Sequence, residues 1–447
     1  MKTDLTVWGL ALSMFMASLD TSIANAGLPA IAGAFGALFP AAQWVVLAYL
    51  LAITTIIVGA GRVGDLFGRR RVLLAGIGLF TAASALCGMA PSLGFLIGAR
   101  AVQGVGAAVM MALTVSFAPE GRTGRTMGVL GTMSALGTTL GPSLGGLLMA
   151  GFGWRSIFLV NVPLGILNLG LAVWGLPVDQ GERRGALDVP GMAMMGVTLG
   201  AYALAMTGVG GMWLLGLAGL AGISFVWVER RTAAPLVEFG AIRAPRLLGM
   251  NAMVSTVMMS TLVVGPFYLT RGLGLAVGMA GLAMSVGPLV AALMGIPAGR
   301  LVDRWGAGRV TVGGLAGMVV GCATLCLGWG LAGYLIPIGV LTASYALFHV
   351  ANNSAVMTGL AGDRRGVVAG LLSLSRNLGL ITGASVMGAV FGMWADVVTA
   401  GPAEVLLGMR AVFGLGAGLA LGALVMARSA SGGATDEGEG GEAGGDD

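Results

Sequence analysis

The chain has 447 residues, of which 57% are hydrophobic and only 10% are charged, and its formal net charge is +5 at pH 7. A soluble globular domain carries about 25% charged residues, because its surface must face water. The composition therefore excludes a soluble globule and predicts a membrane protein. With one histidine and three cysteines, the chain offers no catalytic or metal-binding cluster, so we expect no enzyme activity, no metal and no cofactor.

Hydrophobic runs long enough to cross a bilayer, about 20 residues each, recur along the whole sequence. In chain order they occupy residues 6–28, 43–61, 72–90, 93–117, 126–150, 156–176, 189–208, 211–228, 247–270, 277–299, 309–328, 331–360, 367–394 and 407–427. The pattern predicts an all-α membrane protein with fourteen transmembrane helices. Most of the 24 lysines and arginines fall in connections on one side, and this bias predicts that both termini are cytoplasmic.

Two sequence patterns recur and indicate an internal duplication. Gly61, Asp65 and Gly68 return at one offset as Gly299, Asp303 and Gly306, and Gly137, Gly141 and Gly146 return at one offset as Gly379, Gly383 and Gly388. The repeats predict an N-terminal six-helix half (1–187), two inserted helices (188–230) and a C-terminal six-helix half (231–428). The Gly-rich acidic segment 429–447 is predicted to be a disordered tail.

Asp20 is the only carboxylate that lies well inside a predicted span. An ionised Asp near the middle of a membrane costs about 2.5–3.5 kcal/mol, and this cost favours a group that takes up a proton. Small residues flank Asp20 at helical spacing, which predicts a face that lines a cavity. That face comprises Ser13, Ala17, Asp20, Ala24 and Gly27. A structural acid that is bonded to its neighbours is the alternative interpretation.

Other polar residues within the spans are candidates for the same pathway. Arg100 lies in the fourth span with Gln103 one turn further on, and a buried guanidinium can hold or release a neighbouring carboxylate. The alternative for Arg100 is snorkelling towards the membrane surface. Arg376 and Asn377 in the thirteenth span are similar candidates. For His349, the only histidine, we favour a hydrogen-bonded structural role over a proton relay.

The fifth span contains glycines at four-residue spacing, Gly137, Gly141 and Gly145, interrupted by Pro142. Such a ridge allows two helices to approach closely, and the proline bends the helix. We expect this helix to act as a seal or a pivot, with simple helix packing as the alternative.

Five strings resemble signatures of the major facilitator superfamily, in particular its fourteen-helix drug:proton antiporter branch. The strings are Leu19–Pro29, Gly61–Arg71, Arg100–Ala108, Gly137–Gly146 and Trp154–Pro163. One departure from the pattern is Leu66, which stands where a basic residue is common in the family. The strings occur in the family's order and on the matching helices, and the resemblance covers nearly the whole chain apart from the tail.

The resemblance implies two halves that rock about a central cavity, with roles for particular residues. Asp20 and Arg100 would couple protons, and Asn25, Gln103, Arg376 and Asn377 would line the substrate cavity. Gly137, Gly141, Pro142, Gly145 and Gly146 would form the antiporter helix. Gly61, Asp65, Gly68, Arg69, Arg70 and Asp303 would form a cytoplasmic latch, in which Asp65 contacts helix ends of the other half in the outward-facing state.

The function that these patterns favour is export of hydrophobic or amphipathic drugs or antibiotics across the cell membrane in exchange for protons. The partners would be the small-molecule substrate, protons and the lipid bilayer, without nucleic acid, and we expect a monomer. The alternative on the same fold is proton-coupled or facilitated uptake of a small metabolite.

Overall fold

A computed structural model describes residues 2–117, 123–177, 188–207, 211, 213–232, 245–328, 330–357, 372, 374–395 and 400–436. Every regular element within these ranges is a helix. The result agrees with the all-α architecture that the hydrophobic runs predict.

The N-terminal part forms α1 to α7. These helices are α1 Lys2–Phe35, α2 Phe39–Phe67, α3 Arg69–Gly88, α4 Leu93–Ser116, α5 Thr123–Phe152, α6 Ser156–Leu159 and α7 Asn161–Gly175. The break between α6 and α7 falls at Val160, three residues before Pro163. Proline lacks the N–H that would bond to the carbonyl of Leu159 four residues earlier, so the chain turns here before the helix resumes.

Two helices follow, α8 Val189–Met206 and α9 Trp213–Glu229, which pack against each other. The C-terminal part then forms α10 to α15. These are α10 Pro245–Phe267 with a π turn at Tyr268–Gly272, α11 Val277–Trp305, α12 Ala307–Leu325, α13 Ala332–Met357, α14 at residues 374–392 with a π turn at Gly383–Met387, and α15 Pro402–Asp436. We refer to α1–α7 as the first half and to α10–α15 as the second half.

Within the described ranges, eleven helical segments are long and apolar enough to cross a membrane, and α9 is a shorter apolar helix. Large apolar side chains such as Trp174, Ile223 and Ile296 are exposed on the outside of the bundle, as expected where a helix faces lipid. The chain is thus a multi-pass membrane protein. The number fourteen remains a prediction, because α5 and α14 are not among the eleven segments.

The segment predicted to be a disordered tail starts at residue 429, inside the last helix of the structure. Helix α15 continues past this boundary to Asp436. Once a helix is formed, each added residue gains a hydrogen bond without a new nucleation cost, so the helix extends into a sequence that would not start one. Residues 437–447 lie outside the described residues.

The predicted repeat of loop residues corresponds to a repeated backbone geometry. Gly68 ends α2 with φ +94°, and Gly306 ends α11 with φ +80°. Side chains other than glycine rarely adopt this region of φ, so each glycine allows one long helix to turn directly into the next. Gly61 and Gly299 have no such constraint, since a Cβ at either position would meet nothing within 4 Å.

The glycines of α5 and α14 also pack in equivalent ways. A Cβ on Gly137 would lie 2.5 Å from the carbonyl oxygen of Phe15 in α1. A Cβ on Gly383 would lie 2.6 Å from the carbonyl oxygen of Thr256 in α10. Because a side chain would collide with backbone in both places, glycine is required for α5 to pack on α1 and for α14 to pack on α10.

Candidate functional site

A cavity of about 260 Å³ lies between the two halves. Its lining comes from α1, α2, α4 and α5 on one side and from α10, α11, α13 and α14 on the other. A cavity whose two walls belong to different halves changes shape whenever the halves move relative to each other. This position is typical of a transported ligand's binding site.

The wall formed by the first half carries hydroxyl groups. Ser18 and Thr21 of α1 and Ser134 of α5 line the cavity. The hydroxyl oxygens of Ser18 and Ser134 lie 2.6 Å apart, and the hydroxyl of Ser22 donates to the carbonyl oxygen of Thr138 at 2.8 Å. These bonds join α1 to α5, so the polar wall is fixed as one unit.

The wall formed by the second half is mainly apolar and carries one charge. Met258, Met259 and Met284 contribute flexible apolar side chains, which adapt to ligands of different shape. Arg376 and Asn377 of α14 also line the cavity, as the sequence predicts. Within the described residues, Arg376 is the only charged residue of the lining.

Two residues assigned to the cavity lie elsewhere. Asn25 is fully buried, and its side-chain amide donates to the carbonyl oxygen of Thr21 at 2.7 Å. Gln103 is also fully buried and bonds to Asp20 and Ser84. In this structure each amide finds buried partners within the first half, which hold it away from the lining.

The carboxylate of Asp20 forms a fully buried ion pair with Arg100 of α4, through Oδ2 and Nη1. Its Oδ1 accepts hydrogen bonds from Gln103 and from Asn161, each at 2.8 Å. Three side-chain donors therefore compensate the charge that burial makes costly. Snorkelling of Arg100 towards the surface is excluded, because its side chain has no exposed area.

Arg100 is held on several sides besides its ion pair. Its Nε donates to the carbonyl oxygen of Val45 at 2.9 Å, and its Nη1 also donates to Gln103 at 2.6 Å. The guanidinium lies 4.1 Å from the ring centre of Tyr49 and 5.5 Å from that of Phe158, where cation–π attraction adds to the pair. Arg100 is therefore held in its pocket by Val45, Gln103 and the two aromatic rings as well as by Asp20.

The small-residue face of α1 does not line the cavity as a whole. Ala17 lines it, but Ser13, Asp20 and Ala24 are buried inside the first half. The expectation fails because α7 and α4 also carry polar groups, which cover that face: Asn168, for example, donates to Ser13 at 2.8 Å. The ion pair and the cavity thus lie on different faces of the same helix.

A short chain of contacts links the ion pair to the cavity. Tyr49 contacts the guanidinium of Arg100 with its ring, and its hydroxyl donates to the carbonyl oxygen of Ala17 at 3.2 Å. Ala17 itself lines the cavity. Tyr49 and Asn161 did not emerge from the sequence as site residues, although Asn161 lies within the string Trp154–Pro163. The signal in the sequence that could have identified Asn161 is its place as a polar residue within that string.

The halves meet closely at the end of the bundle opposite the Gly68 and Gly306 turns. A Cβ on Gly146 would lie 2.9 Å from the carbonyl oxygen of Val277, at the start of α11. Gln43, near the start of α2, donates to the carbonyl oxygen of Ala384 at 2.6 Å, across the two halves. The two halves are therefore in close contact at this end, and the contact involves Gly146 of the predicted antiporter helix.

At the other end, the predicted latch residues pair locally. Asp65 accepts hydrogen bonds from Nε of Arg69 at 2.8 Å and from its Nη2 at 2.7 Å, and both side chains are more than one third exposed. Arg70 donates to the carbonyl oxygen of Val173 at 2.6 Å, within the first half. Asp303 is exposed. Within the described ranges, Asp65 forms no hydrogen bond or ion pair with the second half in this conformation.

His349 has structural partners, in keeping with the interpretation favoured from the sequence. Its Nδ1 lies 3.3 Å from the amide nitrogen of Asn353, and its ring lies 5.5 Å from that of Tyr345. Among the described residues, no group of three or more His, Cys, Asp or Glu side chains could hold a metal ion.

Comparisons with known proteins give consistent matches over most of the chain. The sequence profile of the Major Facilitator Superfamily matches residues 10–384. The chain is 32% identical to the multidrug resistance protein Stp of Mycobacterium tuberculosis, over 87% of this chain and 76% of that protein. It is 30% identical to the riboflavin transporter RibZ of Clostridioides difficile, over 86% and 87%.

A solved structure shares the fold at much lower sequence identity. A bacterial homologue of the human lysosomal transporter Spinster, in an inward-facing conformation, superposes with a TM-score of 0.71. The two are 15% identical, and the match covers 95% of this chain and 96% of that one. At this identity the likeness concerns the fold alone.

Proposed function

Since the chain belongs to the major facilitator superfamily, we propose that it is a proton-coupled efflux transporter that exports hydrophobic or amphipathic drugs or antibiotics by alternating access. The family makes the protein a membrane transporter rather than an enzyme. One relative, 32% identical to this chain, is named a multidrug resistance protein, and this name supports the proposed substrate class. Direction and proton coupling are our proposal.

The observation that carries the proposal is the place of Asp20 on α1. One face of this helix holds the buried ion pair, and the neighbouring face, with Ala17 and Thr21, lines the cavity. Protonation of Asp20 would remove the charge that opposes Arg100. Without that charge, the guanidinium of Arg100 would shift against the ring of Tyr49. The hydroxyl of Tyr49 donates to the carbonyl oxygen of Ala17, which lines the cavity. In this way, protonation of Asp20 on one face of α1 would alter the substrate site on the neighbouring face.

Alternating access fits the distribution of contacts between the halves. The halves are in close contact at the end with Gly146 and Gln43, while at the basic end Asp65 is partly exposed and, among the described residues, pairs with Arg69 alone. If the basic connections are cytoplasmic, as the bias in arginine placement predicts, this is an inward-facing conformation. Asp65 would leave Arg69 and bind the second half when that end closes, which is the latch role that the sequence predicts.

The test is a growth-inhibition panel of toxic compounds in cells that express the wild type, Asp20→Asn or no transporter. We expect the wild type to raise the inhibitory concentration of several hydrophobic compounds and Asp20→Asn, expressed to the same level, to lose that protection. Unchanged protection by Asp20→Asn would remove Asp20 from the proton route. No protection by the wild type against any compound would count against efflux.

Uptake of a small metabolite is the second candidate function. It is favoured by one observation, the 30% identity to a relative named as a riboflavin transporter, over 86% of this chain. Inverted membrane vesicles with an acidic interior separate the two functions. Proton-driven accumulation of a drug in these vesicles supports efflux, whereas accumulation of riboflavin only in right-side-out vesicles supports uptake.

A further inference from the structure

The cavity contains one charge, and the described residues of its lining offer no counter-charge. Arg376 lines the cavity, and none of the described lining residues is a carboxylate. The Nε atom of Arg376 is buried and has no hydrogen-bond partner among the described residues. A cation inside a membrane protein with an unsatisfied buried donor is costly, so a ligand that supplies an anionic acceptor gains by binding next to it.

The other charges of the described spans do not offset Arg376. Asp20 is paired with Arg100 inside the first half, and their charges cancel. Asp65 is paired with Arg69 at the end of the bundle. What remains in the cavity is a single positive charge, with the amide of Asn377 and the phenol of Tyr345 also in the lining as further donors. The rest of that wall is mainly apolar and includes the hydroxyl groups of Thr261, Tyr334 and Thr342.

From this charge balance we propose that the cavity selects amphipathic anions, in which an apolar body carries a carboxylate, sulfonate or phenolate, over lipophilic cations. The acidic group would bind Arg376 and Asn377, and the apolar body would lie against Met258, Met259 and Met284. This inference rests on the proposed function only in that the cavity is the site of the transported substrate; the charge preference can be measured as binding alone.

The experiment uses two dyes that share a xanthene core, the anion fluorescein and the cation rhodamine 123. Each is titrated against the purified full-length protein in lipid nanodiscs, with fluorescence anisotropy as the readout and empty nanodiscs as the blank. We expect the wild type to bind fluorescein at least about tenfold more tightly than rhodamine 123, because a hydrogen bond to a charged group is worth that much. Arg376→Gln should abolish this preference without weakening the binding of rhodamine 123.

Two variants separate charge from structure. Arg376→Lys keeps the charge but loses the planar two-donor geometry, so it should bind fluorescein less tightly than the wild type and still prefer it to rhodamine 123. Thr342→Val changes an uncharged lining residue of the same half and should alter the affinity for both dyes by the same factor.

Equal affinity of the wild type for both dyes, a preference for rhodamine 123, no binding of fluorescein, or an unchanged preference in Arg376→Gln would each overturn the inference. The proposed efflux function is judged separately. If cells are protected against cationic drugs, and this protection is lost in Asp20→Asn but kept in Arg376→Gln, efflux stands and anion selection is wrong.

Discussion

The buried pair of Asp20 and Arg100 makes a quantitative prediction for a double-mutant cycle. In Asp20→Asn, the new amide has an NH₂ group where Oδ2 accepts from Arg100, or else it turns and loses its bonds to Gln103 and Asn161. Arg100 is then an unpaired charge with no exposed area. Removing one partner of such a pair costs about 3–5 kcal/mol.

The double variant Asp20→Asn/Arg100→Gln removes both charges, so no unpaired ion remains. It should be more stable than the sum of the single variants implies, with a coupling energy of about 2–3 kcal/mol. The assay is unfolding of the four purified proteins in the same detergent, followed by circular dichroism as denaturant is added. Arg100→Gln completes the cycle and should also be destabilised, because Asp20 loses its only cationic partner among the described residues.

Additive effects would refute this reasoning. If the double variant loses the sum of the two single losses to within about 0.5 kcal/mol, the two side chains do not interact in the folded protein. Thr138→Val provides a control: among the described residues its hydroxyl bonds to the carbonyl oxygen of Ser134 in the same helix, so its effect should add to that of Asp20→Asn.

Three further predictions concern the glycine ridge, the latch and the close contact between the halves. Gly141→Ala places a Cβ 2.6 Å from a hydroxyl oxygen and 3.0 Å from a backbone nitrogen of α1, so it should lower the free energy of unfolding by about 1–3 kcal/mol. Gly151→Ala is the control, since its Cβ would meet nothing within 4 Å and its stability should not fall. Equal losses of stability in the two variants would contradict the packing argument. Asp65→Asn breaks a partly exposed pair worth about 0–1 kcal/mol, so stability should hold while transport slows, and normal transport would exclude a latch. Gln43→Ala removes a buried bond between the halves and should increase thiol-reagent labelling of a cysteine placed beside it; unchanged labelling would show that the close contact does not depend on this bond.

The sequence predicts most of the fold because membrane burial imposes a simple rule. A lipid-facing backbone must satisfy its own hydrogen bonds, so long apolar runs become helices. The turns at Gly68 and Gly306 were recognisable for a similar reason, since a glycine between two helices marks a backbone that other residues disfavour. The end of α15 was missed because helix propagation into a polar segment depends on the helix before it.

The site was predictable in part. Asp20 and Arg100 stand out because charges are rare inside spans, and the structure brings them together. The other partners of Asp20 depend on tertiary packing, which the sequence does not show. Gln103 bonds to Asp20 rather than lining the cavity, and Asn161 of another helix bonds to the same carboxylate. Hydrophobic periodicity shows that a face is buried, but it does not show whether a helix or a cavity covers it.

The most direct test of the account is proton-driven transport by Asp20→Asn in proteoliposomes. Two quantities are measured for a drug against which the wild type protects cells. One is accumulation of the drug in the proteoliposomes under an imposed pH gradient, and the other is its exchange across the membrane without a gradient. The account predicts that Asp20→Asn still exchanges the drug but no longer accumulates it in response to the gradient. Accumulation equal to that of the wild type would contradict it.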